Sequence, residues 1–168
     1  NTPITETRPD HSYTDGVCDM CGAEKSIVIV EADLHAEGLV LGVNTASDCI
    51  AELNTSDMYV AIKNINGVAL TDTDLVGTGA TITFYDRTTN AEIKTVTIVL
   101  YGDVNGDGLV DSTDKDTVML KTVGAAEIEN VWFSLAADAN GDGVVDAFDA
   151  ALINLQAANS YPISQKIG

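Results

Sequence analysis

An Asp/Gly-rich segment of twelve residues occurs twice in this chain and constrains its fold more than any other feature. The sequence Asp-Val-Asn-Gly-Asp-Gly-Leu-Val-Asp-Ser-Thr-Asp at 103–114 (loop 1) returns as Asp-Ala-Asn-Gly-Asp-Gly-Val-Val-Asp-Ala-Phe-Asp at 138–149 (loop 2), 35 residues later. Carboxylates packed this closely repel one another unless a cation neutralises them. The duplication therefore predicts two cation-binding loops in the C-terminal part of the chain.

Both loops carry oxygen ligands at the six positions that a twelve-residue calcium loop uses: the first, third, fifth, seventh, ninth and twelfth. In loop 1 the predicted ligands are Asp103, Asn105, Asp107, Leu109 through its carbonyl, Asp111 and Asp114. In loop 2 they are Asp138, Asn140, Asp142, Val144 through its carbonyl, Asp146 and Asp149. The alternative is a pair of polar turns that bind nothing, but two full matches favour two calcium ions.

The charge of the chain disfavours several partners. Its net charge is −18 with eight Lys plus Arg, whereas nucleic acid and anionic membranes require a cationic surface. No apolar run reaches the length of a spanning helix, so we expect no membrane insertion.

Three stretches differ in composition. Residues 1–25 are polar and indicate a linker or a small His/Cys tail. Residues 26–101 contain short β-rich runs and one amphipathic stretch at 44–53, which predict a small strand-rich module with one helix. The predicted strands lie at 27–30, 39–43, 58–62, 81–85 and 93–100.

Residues 102–168 depart from a standard EF-hand. Each loop closes with Asp rather than Glu, and a β-run rather than a helix precedes Asp103. Helices are predicted to leave the loops at 112–123 and 147–158, with a connecting helix at 125–136.

Two Asp-closed loops, each followed by one helix, strongly resemble the dockerins of cellulosomes, amylosomes and related bacterial assemblies, with a Ruminococcus-like character. The resemblance covers about residues 101–163. It implies a non-catalytic, calcium-dependent module that binds a cohesin and anchors a secreted protein in a polysaccharide-degrading complex or on the cell surface. It also implies an extracellular or cell-surface location and a chain that is monomeric when free.

The resemblance places the cohesin-binding surface at the loop ends and on the exposed faces of the two exiting helices. The corresponding positions are Ser112, Thr113, Met119, Leu120, Ala147, Phe148, Asn154 and Leu155. The Ser-Thr pair is polar and the Ala-Phe pair is apolar, so we expect one dominant orientation of binding. Phe148 is either an exposed interface residue or part of the core, and its type alone leaves both open.

The segment ahead of the loops, 26–101, resembles the X-type modules that precede dockerins, and this implies a spacer that stabilises the dockerin or extends its interface. The complete expectation is an α+β chain: the strand-rich module with one helix, followed by an all-α dockerin of two calcium loop-helix repeats plus a connecting helix. Ring stacking between Tyr101 and Tyr161 is expected to close the dockerin.

A second metal site is predicted in the N-terminal tail. His11, Cys18 and Cys21 have the spacing of half a zinc site, and Cys49, His35 or Asp15 are candidates for a fourth ligand. A Cys18–Cys21 disulfide and free thiols in a tail remain alternatives. Cys49 itself is expected in the core.

Other functions fit less well. No pair of acids or activated nucleophile has a recognisable catalytic setting, so we expect no enzyme. A calcium sensor would need a Met-rich face, and the chain has three Met. A calcium-stiffened adhesin or stalk without a cohesin partner shares every loop residue and stays open as the alternative.

Overall fold

The computed structural model describes residues 13–14, 17–18, 27–32, 34–39 and 44–165. Its strands are β1 (Tyr13–Thr14), β2 (Val17–Cys18), β3 (Val28–Val30), β4 (His35–Glu37), β5 (Met58–Lys63), β6 (Thr81–Asp86) and β7 (Glu92–Ile98). Its helices are α1 (Ala46–Leu53), α2 (Ser112–Thr122), α3 (Val131–Ala137) and α4 (Ala147–Ala157).

A five-stranded mixed sheet with the order β3-β4-β7-β6-β5 forms the first half of the fold. Strands β5, β6 and β7 are consecutive antiparallel neighbours, whereas β4 pairs with β7 in parallel. The alternation of apolar and polar residues in β6 buries Ile82 and Phe84 on one face, as a half-covered sheet requires. A separate two-stranded ribbon pairs β1 with β2.

Helix α1 covers the buried face of the sheet. Thr45 caps its first turn by accepting a hydrogen bond from the Asp48 N–H, and Asn54 ends it in an extended conformation. Ala46, Cys49 and Leu53 point into the same apolar cluster as Ile82 and Phe84 because they are three to four residues apart.

A second apolar cluster lies among the loops and helices of the C-terminal half. Val118 of α2, Ala136 of α3 and Ile153 of α4 are fully buried in it. The extended run 98–101 joins the two clusters: Ile98 and Leu100 pack in the first and Val99 and Tyr101 in the second. This division follows from the alternate direction of side chains along an extended chain.

The expectation of an all-α C-terminal module is wrong. The described chain is a single α+β arrangement of a five-stranded mixed sheet and four helices. In 102–165, loops and turns separate helices of only 11, 7 and 11 residues. The loops cannot be helical because Gly106, Gly108, Gly141 and Gly143 all have positive φ.

Two predicted elements also differ in extent. The connecting helix begins at Val131 rather than at 125, because Asn130 caps it by accepting hydrogen bonds from the N–H groups of Trp132 and Phe133. The strand expected at 39–43 is replaced among the described residues by β4, and 40–43 lie outside them.

The expected stacking of Tyr101 on Tyr161 is wrong as well. The Tyr101 N–H donates to Gln165 Oε1 at 2.8 Å, and Gln165 Nε2 donates back to the Tyr101 carbonyl at 2.9 Å. Tyr101 is buried and Tyr161 is exposed, while Ile163 occupies the core in the C-terminal segment. A side-chain amide and an aliphatic residue therefore close the end of the chain.

Candidate calcium loops and docking face

Loop 1 is built around the buried carboxylate of Asp103. Its Oδ1 accepts hydrogen bonds from the N–H groups of Asn105 at 3.3 Å and Gly106 at 2.6 Å. Its Oδ2 accepts from the N–H groups of Gly108 at 3.1 Å and Thr78 at 2.9 Å. The first residue of the loop thus holds the turn that follows it in a closed form.

The middle of loop 1 is organised by Asn105 and Asp107. The Asn105 Oδ1 accepts from the Asp107 N–H at 2.8 Å, and the Asn105 amide donates to Asp107 Oδ2 at 3.0 Å. The other Asp107 oxygen accepts from the Leu109 N–H at 2.9 Å. These short-range bonds are typical of Asx turns and keep several side-chain oxygens on one short stretch of chain.

The end of loop 1 is also the start of α2. The Asp111 carboxylate accepts from the Thr113 N–H at 2.7 Å. It also accepts from the Asp114 N–H, and the Asp114 carboxylate accepts from the Asp111 N–H at 2.9 Å, so Asp111 and Asp114 form a capping box. The second Asp114 oxygen accepts from the Val104 N–H at 3.0 Å. Asp114 therefore joins the two ends of the loop.

Loop 2 repeats this arrangement. Asp138 accepts from the N–H groups of Gly141 at 2.9 Å and Gly143 at 2.8 Å, and the Asn140 amide donates to Asp142 at 2.8 Å. The capping box recurs with Asp146 and Asp149 at the start of α4. In addition Asp149 Oδ1 accepts from the Asn140 N–H at 3.3 Å.

Four of the predicted ligands are buried carboxylates. Asp103, Asp114 and Asp149 have no exposed surface and Asp138 is 8% exposed. None of the ion pairs found among the described residues involves them. A buried carboxylate without a counter-charge is costly, so the arrangement favours a bound cation.

The pKa values also show that burial disfavours the charged form of these carboxylates. Burial raises the pKa of Asp103 to about 6 and that of Asp114 to about 6, although backbone N–H donors act in the opposite direction. Burial also raises the pKa of Asp149 above its ordinary value. The charged form of each group is therefore poorly solvated in the folded chain.

The donor chemistry of both loops fits calcium. Each combines carboxylate oxygens, one Asn side-chain oxygen and one backbone carbonyl, which are the hard ligands this ion prefers. Within the part of the chain that the structure describes, no group of three or more His, Cys, Asp or Glu side chains converges as a metal cluster. The carboxylates instead face backbone N–H donors: each oxygen of Asp103 accepts two of them, which uses all four of its lone-pair sites.

The predicted partner residues lie on the outside of the fold. Ser112, Thr113, Ala147 and Asn154 are exposed, and four apolar side chains share this exposure. They are Met119 at 40%, Leu120 at 49%, Phe148 at 59% and Leu155 at 40%. The alternative that Phe148 belongs to the core is therefore wrong.

Sequence reasoning missed several residues near these sites. Val123, Val144 and Tyr161 add exposed apolar surface in the same half of the chain. Asn44 and Thr78, from the sheet region, donate hydrogen bonds to loop 1. No sequence signal identifies the last two, since neither lies in a motif.

The zinc hypothesis stays a prediction. His11, Cys21 and Asp15 lie outside the described residues, and only the backbone of Cys18 is described, in β2. Cys49 is a buried free cysteine in the sheet cluster, as expected of a core residue. His35 is buried with its ring 6.1 Å from that of Trp132, and neither ring nitrogen has a hydrogen-bond partner among the described residues.

No helix in the described ranges has the length and apolar character needed to cross a bilayer. Comparisons with curated proteins and with solved structures give no significant match. Comparison with protein families does give one: residues 101–156, which contain both loops with α2, α3 and all but the last residue of α4, match the dockerin type I domain. Dockerin type I domains are non-catalytic modules that in general bind calcium and cohesins, and residues 101–156 of this chain, a third of its length, are similar to that family.

Proposed function

We propose that this chain is a calcium-dependent dockerin that binds a cohesin and thereby anchors a secreted protein in a polysaccharide-degrading complex or on the cell surface. The observation that carries the proposal is the placement of exposed apolar side chains at the end of loop 2 and on the helices that leave the loops. Phe148 is the second residue of α4, and its N–H is bonded to Asp146, the ninth residue of loop 2. The conformation of loop 2 and the position of the Phe148 ring are therefore coupled.

Two ions would be held by the residues at the six ligand positions of each loop. The ion supplies the positive charge that the buried carboxylates lack. The chain's own residues close the turn, start the helix and fix the direction of its exposed face. Because of this coupling, the free energy of metal binding contributes to the folding free energy of the C-terminal half.

The proposal also assigns a role to each of three segments of the chain. Residues 102–168 act as the dockerin and 26–101 as an X-type spacer, with 1–25 as a linker or a small His/Cys tail. The cohesin surface consists of the eight positions given above, and the polar Ser112-Thr113 pair and the apolar Ala147-Phe148 pair favour a single orientation. We expect the free chain to be monomeric and extracellular.

A panel of cohesins tests the proposal directly. The chain is immobilised and each cohesin is titrated in calcium and again in excess chelator. The proposal requires at least one cohesin that binds in calcium and is released by chelator. Calcium-dependent folding with no cohesin bound would favour the calcium-stiffened adhesin or stalk instead, and binding that chelator does not change would contradict the coupling.

A further inference from the structure

The two loops have nearly the same internal hydrogen bonds but different surroundings. In loop 1, Asp103 accepts a hydrogen bond from Thr78, a residue of the sheet region 25 positions earlier. In loop 2, the N–H groups that donate to Asp138 belong to Gly141, Asp142 and Gly143 of the loop itself. Among the described residues, the first Asp of loop 1 therefore accepts a hydrogen bond from outside its loop, whereas that of loop 2 does not.

The side chain of Asn44 is a second external link. Its Nδ2 donates to the Gly108 carbonyl at 2.8 Å and to the Val76 carbonyl at 3.0 Å, and the residue is 1% exposed. The backbone of this segment is itself fixed, because the Val76 N–H donates to the Asn44 carbonyl and Thr45 bridges Leu75. We call Asn44 together with residues 75–78 the brace.

The fit between the brace and loop 1 leaves no room for a methyl group. A Cβ on Gly77 would lie 2.5 Å from the Gly108 nitrogen, 2.6 Å from Asp103 Oδ2 and 2.6 Å from the Gly106 carbonyl. A Cβ on Gly108 would lie 2.7 Å from the Leu75 Cβ, whereas one on Gly143, the equivalent residue of loop 2, would meet nothing within 4 Å. At Gly77 the brace backbone therefore approaches the backbone of loop 1 closely, whereas Gly143 of loop 2 has no such neighbour among the described residues.

We propose that the brace holds loop 1 in its closed form before an ion binds, so that the two repeats are not equivalent. Asn44, Gly77 and Thr78 are positioning residues: they touch loop 1 and do not ligate the ion. A loop that is already ordered loses less conformational entropy on binding, so the affinity of loop 1 depends on the brace and that of loop 2 does not. The identity of the ion rests on the proposed function, whereas the difference in order between the loops does not.

The affinity test uses Gly77→Ala in two backgrounds, each of which leaves one loop intact. In Asp138→Ala, where only loop 1 binds, we expect Gly77→Ala to weaken calcium binding by about tenfold or more, measured by calorimetry. In Asp103→Ala, where only loop 2 binds, the same change should alter the affinity by less than about twofold. Equal effects on both loops, or no effect on loop 1, overturn the proposal.

Gly67→Ala is the matched control. Gly67 also lies in the sheet region and has a positive φ of 77°, so alanine there strains the backbone, but its Cβ would meet nothing within 4 Å. It therefore reports general destabilisation of the sheet region without contact with loop 1. A loss of loop 1 affinity in Gly67→Ala equal to that in Gly77→Ala also overturns the proposal.

Hydrogen exchange in chelator tests the loops without any ion. The N–H groups of Gly106 and Gly108 are compared with those of Gly141 and Gly143, because each pair donates to the first Asp of its loop. We expect loop 1 amides to exchange at least about tenfold more slowly in the intact chain. Similar rates in both loops overturn the proposal.

Calcium titration and hydrogen exchange together distinguish a failure of the brace proposal from a failure of the proposed function. If neither loop binds calcium, the function fails while the exchange rates still decide whether the brace orders loop 1. If Gly77→Ala does not fold, Asn44→Ala replaces it, since it removes the bond to Gly108 without adding volume. In that variant faster exchange at Gly108 with unchanged exchange at Gly143 supports the proposal, and unchanged exchange at both overturns it.

Discussion

Replacement of Phe148 by alanine should weaken cohesin binding far more than it changes the stability of the free chain. The side chain is 59% exposed before binding. A Phe side chain can bury about 200 Å², so a partner that covers it removes roughly 120 Å² of apolar surface from water, worth about 3 kcal/mol. That free energy corresponds to a loss of about 100-fold in affinity.

The assay is a titration of the cohesin identified in the panel against wild type, Phe148→Ala and Thr113→Ala, each in calcium. Thr113 is the matched control because it occupies the same position in the first repeat and is also exposed. We expect Thr113→Ala to change affinity by less than about threefold, as most interface truncations do. Circular dichroism and calcium calorimetry check that Phe148→Ala keeps its fold and its ions.

Two results would refute this reasoning. An affinity of Phe148→Ala close to that of wild type would mean that the ring stays in water in the complex. Equal losses in Phe148→Ala and Thr113→Ala would mean that the two repeats contribute alike, against the single orientation proposed from their different chemistry.

Three further predictions concern the loops and the two cores. Asp103→Ala combined with Asp138→Ala should abolish the calcium-dependent rise in thermal stability; unchanged melting curves in calcium would reject the coupling of metal to folding. Burial raises the pKa of the Cys49 thiol to about 12, so at about pH 8 it should resist alkylation until the chain is denatured, as mass spectrometry will detect. Ile153→Ala should lower the free energy of unfolding by about 2–5 kcal/mol in urea titrations, and the exposed Leu155→Ala by less than about 1 kcal/mol; equal losses would contradict the assigned burial.

Sequence reasoning did best where the signal is local. The starts of α2 and α4 follow from the motif, because Asp111 and Asp146 are both loop residues and helix N-caps. The strands at 58–63 and 81–86 were found from the runs of β-branched and aromatic residues. Both signals depend on neighbours within a few residues.

The start of α3 was predicted too early because an apolar residue ahead of the helix has helical spacing with the apolar residues inside it. Ile128 has helical spacing with Val131, Trp132 and Leu135, yet it packs against the core from an irregular segment. Asn130 is a strong N-cap residue, and its position is the signal that would have corrected the prediction. An apolar residue ahead of a cap packs on the core without belonging to the helix.

The brace could not be predicted from the sequence because it consists of contacts between distant residues. Asn44 and Gly108 are 64 residues apart, so their contact depends on the tertiary packing that places loop 1 beside the sheet region and not on local sequence. The burial of Gly77 and Thr78 likewise depends on this packing rather than on their own type. The exposure of Phe148 could not be predicted either, since the residue type alone allows a phenylalanine to be buried or exposed.

The run 98–101 also determines how mechanical load passes through the molecule. Its four side chains alternate between the sheet core and the helical core and are at most 2% exposed, so the two halves share a buried segment rather than an exposed linker. Pulling the C-terminal helices away from the sheet would have to extract residues from both cores at once. A chain that is anchored as proposed should therefore resist tension as one body.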